Sequence, residues 1–369
     1  MKKDFENNIE EKLTQYIYSL QRENNSYIFN PAKKITKAGN SLSLGFSCYA
    51  LKLFYILNLL SEQTNLKTEN WVKYINSFQK NSARFPDNSY IDINYLKYFE
   101  KYDFSKSIKS AVKYTLNVTG FKQYESNASY LEKSIRAETK QAIATVSQLG
   151  KSSKFQYSDF PKSENDIYNF LTMYDWSKPW DAGAQFSGLC VFASTQMDDS
   201  SKPKKHIEKF ISEMVNSEYG LYFKNELPST NEAINGAMKV ISGLDWLDIP
   251  IHYPEKLIDF CLINSPNSTG CDLVDYVYVL YKCSKQTEYK KKETINYLEN
   301  LIEVIEKHFN DDGGFSYFID KSQTHYYGVK ISDGLHQSDL HGTLLFVWAL
   351  SMIFELQERN CFSWNIIKP

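Results

Sequence analysis

One recurring pattern constrains the fold of this chain more than any other. An amphipathic stretch with Lys and Glu on one side is followed by a loop, then by a more apolar stretch that opens on small residues. Apolar residues return at intervals of three and four, the period of a helix face, and few segments alternate as a half-buried strand would. Glu10–Leu20 has the amphipathic form. After a turn-rich segment with Pro31, Gly39 and Asn40, Ser43–Leu60 is apolar around nearly its whole circumference, as in a helix buried on all sides. The later pairs are Glu164–Tyr174 with Asp181–Thr195, Lys204–Val215 with Asn231–Leu244, Pro254–Ile263 with Asp272–Cys283, and Thr294–Phe309 with Asp339–Leu356. Ser43–Leu60 and Glu138–Leu149 read as earlier inner members, and Ser105–Leu116 as a further helix.

The expectation is an all-α protein of about six helical hairpins at a spacing of roughly 40–60 residues. Six hairpins close into an α/α toroid, with the apolar helices as an inner barrel and the amphipathic ones outside; an open solenoid is the alternative. No linker or low-complexity segment divides the chain, so residues 1–369 read as a single domain, with Lys151–Lys162 as a long loop.

Composition narrows the function classes. A formal net charge of −2 gives no global field toward nucleic acid or an anionic membrane. The basic runs at Lys204–Lys205 and Lys290–Lys292 read as solvated helix faces. Six cysteines form no CxxC pair, and a chain this long needs no staples, so reduced thiols are expected. No apolar run is long enough to span a bilayer, and the N-terminal stretch has no signal-peptide h-region, so a cytoplasmic location is expected. The 27 Tyr and 23 Phe suggest ring-rich packing or an aromatic cavity, although a low-GC codon bias produces the same excess. Walker, GxGxxG, HExxH and GxSxG motifs are all missing, which argues against nucleotide-dependent chemistry and serine hydrolysis.

Polar groups gather at the starts of the inner stretches: Arg136, Glu138, Lys140 and Gln141, then Trp180, Asp181 and Gln185. Asn231, Glu232, Asn235 and Lys239 follow, then Cys271, Asp272 and Asp275, then Gln337, Asp339 and His341. In a toroid all these ends face one mouth. Capping of free N–H groups accounts for Asp181 and Asn231, and for Asp272 or Ser338. It leaves Asp275, Asn235, Lys239, Gln185 and His341, which lie one or two turns further in on the same faces. A Lys inside the apolar run around Lys239 is costly to bury alone, and Asp275 and Glu232 are its natural partners.

The final repeat is the most specific. Asp311-Asp312-Gly313-Gly314-Phe315-Ser316 ends an outer helix, a long loop carries His325, Tyr326, Tyr327 and His336, and Asp339-Leu340-His341 opens the last inner helix. A loop of that length reads as a lid or rim. Over residues 310–356, this DGGF turn followed by a D-x-H helix start resembles the repeats of terpenoid cyclases and protein prenyltransferase β subunits. The resemblance implies an α/α toroid with a deep aromatic cavity. By analogy with the prenyltransferase zinc site it would bring Asp272 or Cys271 together with His341. The local wording departs from that family, since Cys271 precedes Asp272 rather than following an Asp by two. The D-x-D-D acid motif and the DDxxD magnesium motif of the cyclases are both absent; Met197-Asp198-Asp199-Ser200 is the nearest string and lies after an inner helix. No cofactor is therefore assigned, with zinc as the one alternative.

Three functions compete. The first is an enzyme acting on an isoprenoid or other long apolar substrate, with Asp339 or Asp275 as a buried acid and His341 as its partner. The second is a carbohydrate-active enzyme, with carboxyl groups drawn from Asp275, Asp339, Glu138 and Glu232, and with Trp176, Trp180 and Tyr327 as stacking platforms. The third is a helical-repeat binding protein without activity. The expected partner is a small-molecule substrate, isoprenoid or saccharide, and in the third reading a partner held by the cavity or the outer helices; nucleic acid is not expected. The wording of the last repeat favours the isoprenoid reading.

Overall fold

The computed structural model describes residues 3–60, 65–100, 127–359 and 362–369. Helices carry the architecture. The first five are α1 (Lys3–Ser19), α2 (Lys37–Ser41), α3 (Leu44–Ile56), α4 (Asn65–Asn76) and α5 (Ile93–Glu100). Then come α6 (Asn127–Gln148), α7 (Glu164–Thr172), α8 (Pro179–Thr195), α9 (Ser201–Met214) and α10 (Thr230–Trp246). The last four are α11 (Pro254–Leu262), α12 (Gly270–Ser284), α13 (Lys291–Glu306) and α14 (Leu340–Leu356). Three short antiparallel hairpins, not anticipated from the sequence, join β1 (Gln21–Arg22) to β2 (Asn25–Phe29), β3 (Gln79–Lys80) to β4 (Ser89–Tyr90), and β5 (His325–Tyr326) to β6 (Val329–Lys330).

The helix starts follow local chemistry. Ser163 accepts from the Asp166 N–H at the head of α7, where Glu164 and Asp166 also suit the helix dipole. Thr269 caps α12 through the Asp272 N–H, and Pro179 occupies the first turn of α8, where no N–H is needed. Helix α3 has no cap of its own. Asp92 supplies one from outside, its Oδ2 accepting from the N–H of Ser43 at 2.7 Å and of Leu44 at 3.2 Å.

Six helices form the core. Helix α3 packs on α6, α6 on α8, α8 on α10, α10 on α12, α12 on α14, and α14 on α3. The amphipathic helices lie against them: α7 and α9 on α8, α11 on α12, α13 on α12 and α14, and α4 on α3 and α6. The closest approach is between α8 and α10. A Cβ on Gly236 would lie 2.5 Å from Pro179 Cβ, and one on Gly183 would lie 3.0 Å from the Gly236 carbonyl oxygen. Only hydrogen at these positions lets the two backbones meet.

The C-terminal segment crosses the far ends of three core helices. The Asn365 N–H donates to the Ile56 carbonyl at the end of α3, and the Lys368 N–H donates to Gln148 Oε1 at the end of α6. The Lys368 ammonium donates to the Asp245 carbonyl at the end of α10, and the Trp246 indole N–H donates to the Pro369 carbonyl. These contacts occupy carbonyls that a helix C-terminus leaves without partners, and they place a cation at the negative end of a dipole.

The later hairpins lie within a few residues of their expected positions, and 151–162 carries no helix or strand. Two expectations change. Helix α6 begins at Asn127, so Glu138 sits mid-helix rather than at its start. Helices α4 and α5 were not expected, and the helix expected over Ser105–Leu116 falls outside the described residues. No described helix is long and apolar enough to cross a membrane. Cys48, Cys190, Cys261, Cys271 and Cys283 are free thiols.

The helix contacts give a matched pair of predictions. Gly236→Ala, whose new methyl meets Pro179, should destabilise by about 1–3 kcal/mol through overpacking. Gly188→Ala, on α8 with nothing within 4 Å of its added Cβ, should stabilise by up to about 1 kcal/mol through helix propensity. Urea melts with the same sign for both variants would contradict the packing described.

Candidate functional site

A cavity of about 660 Å³ lies among the core helices. All six contribute to its wall: Tyr49 and Lys52 from α3, Lys140 and Gln141 from α6, Gln185 from α8, Lys239 from α10, Asp275 from α12 and His341 from α14. Leu344, Leu345 and Trp348 add an apolar side, and Ile367 and Pro369 of the C-terminal segment reach the same space. Gln323, Tyr326 and Tyr327 enter from the loop that precedes α14.

That loop is fixed by Asp339. As the N-cap of α14 its Oδ1 accepts from the Gly342 N–H at 2.7 Å, while Oδ2 accepts from the N–H groups of Tyr317 at 2.8 Å and Gln323 at 2.9 Å. One carboxyl group thus joins the helix start, the segment after the DGGF turn, and the loop. Burial raises its pKa to about 6, with the three N–H donors pulling the other way. At the loop tip, Tyr327 and Gly328 both have positive φ, 39° and 76°, which closes a two-residue turn between β5 and β6. A tyrosine in that region costs about 1–2 kcal/mol. It is held there by Tyr95, whose hydroxyl donates to the Tyr327 carbonyl. The Tyr326 hydroxyl donates to Glu138 Oε1, a buried contact that leaves no room for a Cβ on Gly45. Burial pushes Glu138 up to about 8, against the bond from Tyr326.

The wall groups are unusual in what they lack. Among the described residues the Lys52, Lys140 and Lys239 ammoniums have no hydrogen bond and no carboxylate within 4 Å, whereas Lys282 meets Asp245 at 2.6 Å and Lys290 meets Asp259 at 2.6 Å. Burial, with repulsion from Lys239, holds Lys52 down to about 8, and burial with both neighbouring lysines holds Lys140 well below the usual lysine range. Asp275 is raised to about 7 by burial, opposed by the charge of Lys239, and its Oδ2 has no hydrogen-bond partner. His341 is lowered to about 3 by burial and by Lys239 and Lys52. Its ring stacks on Tyr49 at 4.8 Å and on Tyr317 at 5.4 Å, and Nδ1 donates to Gln323 Oε1, leaving Nε2 as an acceptor.

The structure brings some of the expected site residues together and separates others. Asp275, Lys239, His341, Gln185, Trp180, Asp181 and Tyr327 line the cavity. Asp339 does not; its oxygens hold backbone N–H groups, so its place is structural. Glu138 is taken up by Tyr326. Asp272 does not line the cavity, its oxygens accepting from Asn235 Nδ2 and from the Thr269 hydroxyl, and Glu232 accepts from the Trp180 N–H. Neither Asp275 nor Glu232 forms an ion pair with Lys239. The capping roles expected of Asp181 and Asn231 also fail, because the caps are Lys178 and Ser229. Asp181 instead meets Lys133 at 3.3 Å at the exposed mouth, and Asn231 lies inside the first turn of α10.

Among the rings of the core helices, Tyr49 and Trp348 reach the cavity. Phe46, Phe186, Tyr276, Tyr278 and Phe346 are packed in the core, and Trp176 is buried with its N–H on the Leu171 carbonyl. Lys52 was missed, although its signal, a Lys inside an apolar helix, is the one that singled out Lys239. Among the described residues no three His, Cys, Asp or Glu side chains are placed to hold a metal. Cys271 and His341 both line the cavity, but Asp272 is engaged by Asn235 and Thr269, so the three-residue set the resemblance implies is not assembled.

Two predictions test the roof. Replacing Asp339 by Asn leaves one acceptor oxygen for three buried N–H groups, and should cost about 1–3 kcal/mol per donor left unpaired; an unchanged urea midpoint would contradict the clamp. Glu138 has a folded pKa above its ordinary 4.5, so its contribution to stability is complete below that value and is lost as pH rises through about 8. Glu138→Gln keeps the acceptor for Tyr326 and cannot ionise. Its thermal midpoint relative to wild type should therefore rise by a few degrees between pH 5 and pH 9, and a constant difference would refute the assignment.

Comparison with known protein families, with curated proteins and with solved structures finds no match for this chain.

Proposed function

We propose that the chain is an α/α toroid, the six core helices forming its inner barrel, and that it is an enzyme acting on a polar small molecule in the central cavity. The closed circuit of helix contacts supports the toroid. The observation that carries the enzyme reading is Asp275: a carboxyl group with a free oxygen, in the wall of a roofed cavity, poised near neutral pH beside a cation. Asp275 acts as the proton acceptor and Lys239 stabilises negative charge that develops on the substrate. In such a step a C–H proton passes to the Asp275 carboxylate while its electron pair moves onto an adjacent carbonyl oxygen. Neutral His341, fixed by Tyr49, Tyr317 and Gln323, orients the substrate through Nε2.

The isoprenoid reading loses ground on one observation. A carbocation beside three ammonium groups is disfavoured by Coulomb repulsion in a low-dielectric site. Of the carbohydrate chemistries, proton transfer as in a lyase or epimerase fits better than paired-carboxylate hydrolysis, because Asp275 is the only buried carboxyl group in the wall.

The test is untargeted mass spectrometry of a small-molecule extract incubated with the protein. Wild type should consume at least one polar compound, with a rate that rises as pH increases through about 7. Asp275→Asn should fold normally and consume none. Turnover that survives in Asp275→Asn, or a compound bound and never converted, would leave a binding protein as the better account.

A further inference from the structure

We infer that the central cavity binds an oxyanion group, carboxylate or phosphate, between Lys52, Lys140 and Lys239, so that the small molecule it takes is an anion. The inference deepens the reading above and rests on the same cavity. Three helices, α3, α6 and α10, each place one lysine on a common wall. Lys52 is only 8% exposed, and it stands in a helix otherwise buried and apolar. Lys140 and Lys239 are half-buried, and three ammoniums that face one cavity without counter-charges repel one another. Lys285 and Lys290 on the surface meet Glu355 and Asp259, where solvent would have hydrated them in any case; among the described residues these three cavity lysines meet no carboxylate within 4 Å.

Among the described residues the wall offers these lysines little compensation: the charges of Asp275 and Lys239 act on each other, but no carboxylate pairs with any of the three ammoniums. Asp275 is the one buried carboxyl group there, and it makes no ion pair with any of the three. Gln141 and Gln185 add neutral amide groups, whereas the Arg136 guanidinium is turned onto the Phe170 and Phe192 rings. The donors available therefore far exceed the acceptors. A carboxylate or phosphate has several acceptor sites and a charge opposite to the three ammoniums, which makes it the ligand chemistry that satisfies this wall. The apolar side formed by Leu344, Leu345 and Trp348 receives the rest of the molecule.

Titration calorimetry and thermal shift on the full chain decide the matter, with inorganic phosphate, pyrophosphate and malonate as probes and glucose as the neutral control. At least one anion should bind saturably with one site per chain, and glucose should not. Lys52→Met, Lys140→Met and Lys239→Met should each weaken that binding about tenfold or more. Each should also leave the empty protein at least as stable as wild type, because a repulsive charge is gone. Lys282→Met, on the outside, should bind as wild type does. Tighter binding of phosphate than of malonate identifies a phosphate ligand, and the reverse a carboxylate. No saturable binding of any anion at millimolar concentration, or undiminished binding in the triple Met variant, overturns the inference. Asp275→Asn separates this claim from the proposed activity: it should bind the anion and fail only in turnover.

Discussion

The carboxyl group of Asp339 is the constraint on which the site depends. It accepts three backbone N–H groups, one from its own helix start and two from 16 and 22 residues earlier, and so fixes the start of α14, the chain after the DGGF turn and the loop that lines the cavity in one geometry. Hydrogen bonds to a buried charged or partly charged acceptor are among the stronger ones. The rest of the roof follows: Gln323 is placed to hold His341, and Tyr326 is placed to reach Glu138. The strained backbone at Tyr327 persists because its surroundings over-determine it. A residue that looks catalytic from its D-x-H context thus organises the site without facing it.

Desolvation then sets the chemistry. The same loss of water lowers Lys52, Lys140 and His341 and raises Asp275 and Glu138. The result is a cavity in which ordinary side chains titrate near neutral pH or carry charge without a counter-ion. Such an arrangement is destabilising by itself, and natural proteins retain it where a ligand or a reaction uses it.

Much of the all-α architecture was legible in the sequence, because helical periodicity, Pro179 and the small residues at the core-helix starts are local signals. Asp275, Lys239 and His341 were found by asking which polar residues lie too deep to be caps. What stayed hidden depends on contacts between distant segments. Nothing local says that Asp92 caps α3, that Asn235 and Thr269 occupy Asp272, or that residues 365–369 close one end of the core. Helix α6 was started too late because its first turns are polar, with no cap at Glu138 to correct the reading. Lys52 could have been found, since it breaks an apolar helix as Lys239 does. Which rings of the core helices reach the cavity is not legible either, because helical phase does not say which face of a buried helix meets the axis.

The most direct test of the account is a crystal structure of the full chain soaked in tungstate, a heavy oxyanion located by its anomalous scattering. The account predicts a peak inside the cavity within hydrogen-bond reach of Lys52, Lys140 and Lys239, under a roof held by Asp339. An empty cavity with tungstate only at surface lysines, or a core whose six helices do not close around that space, would contradict it.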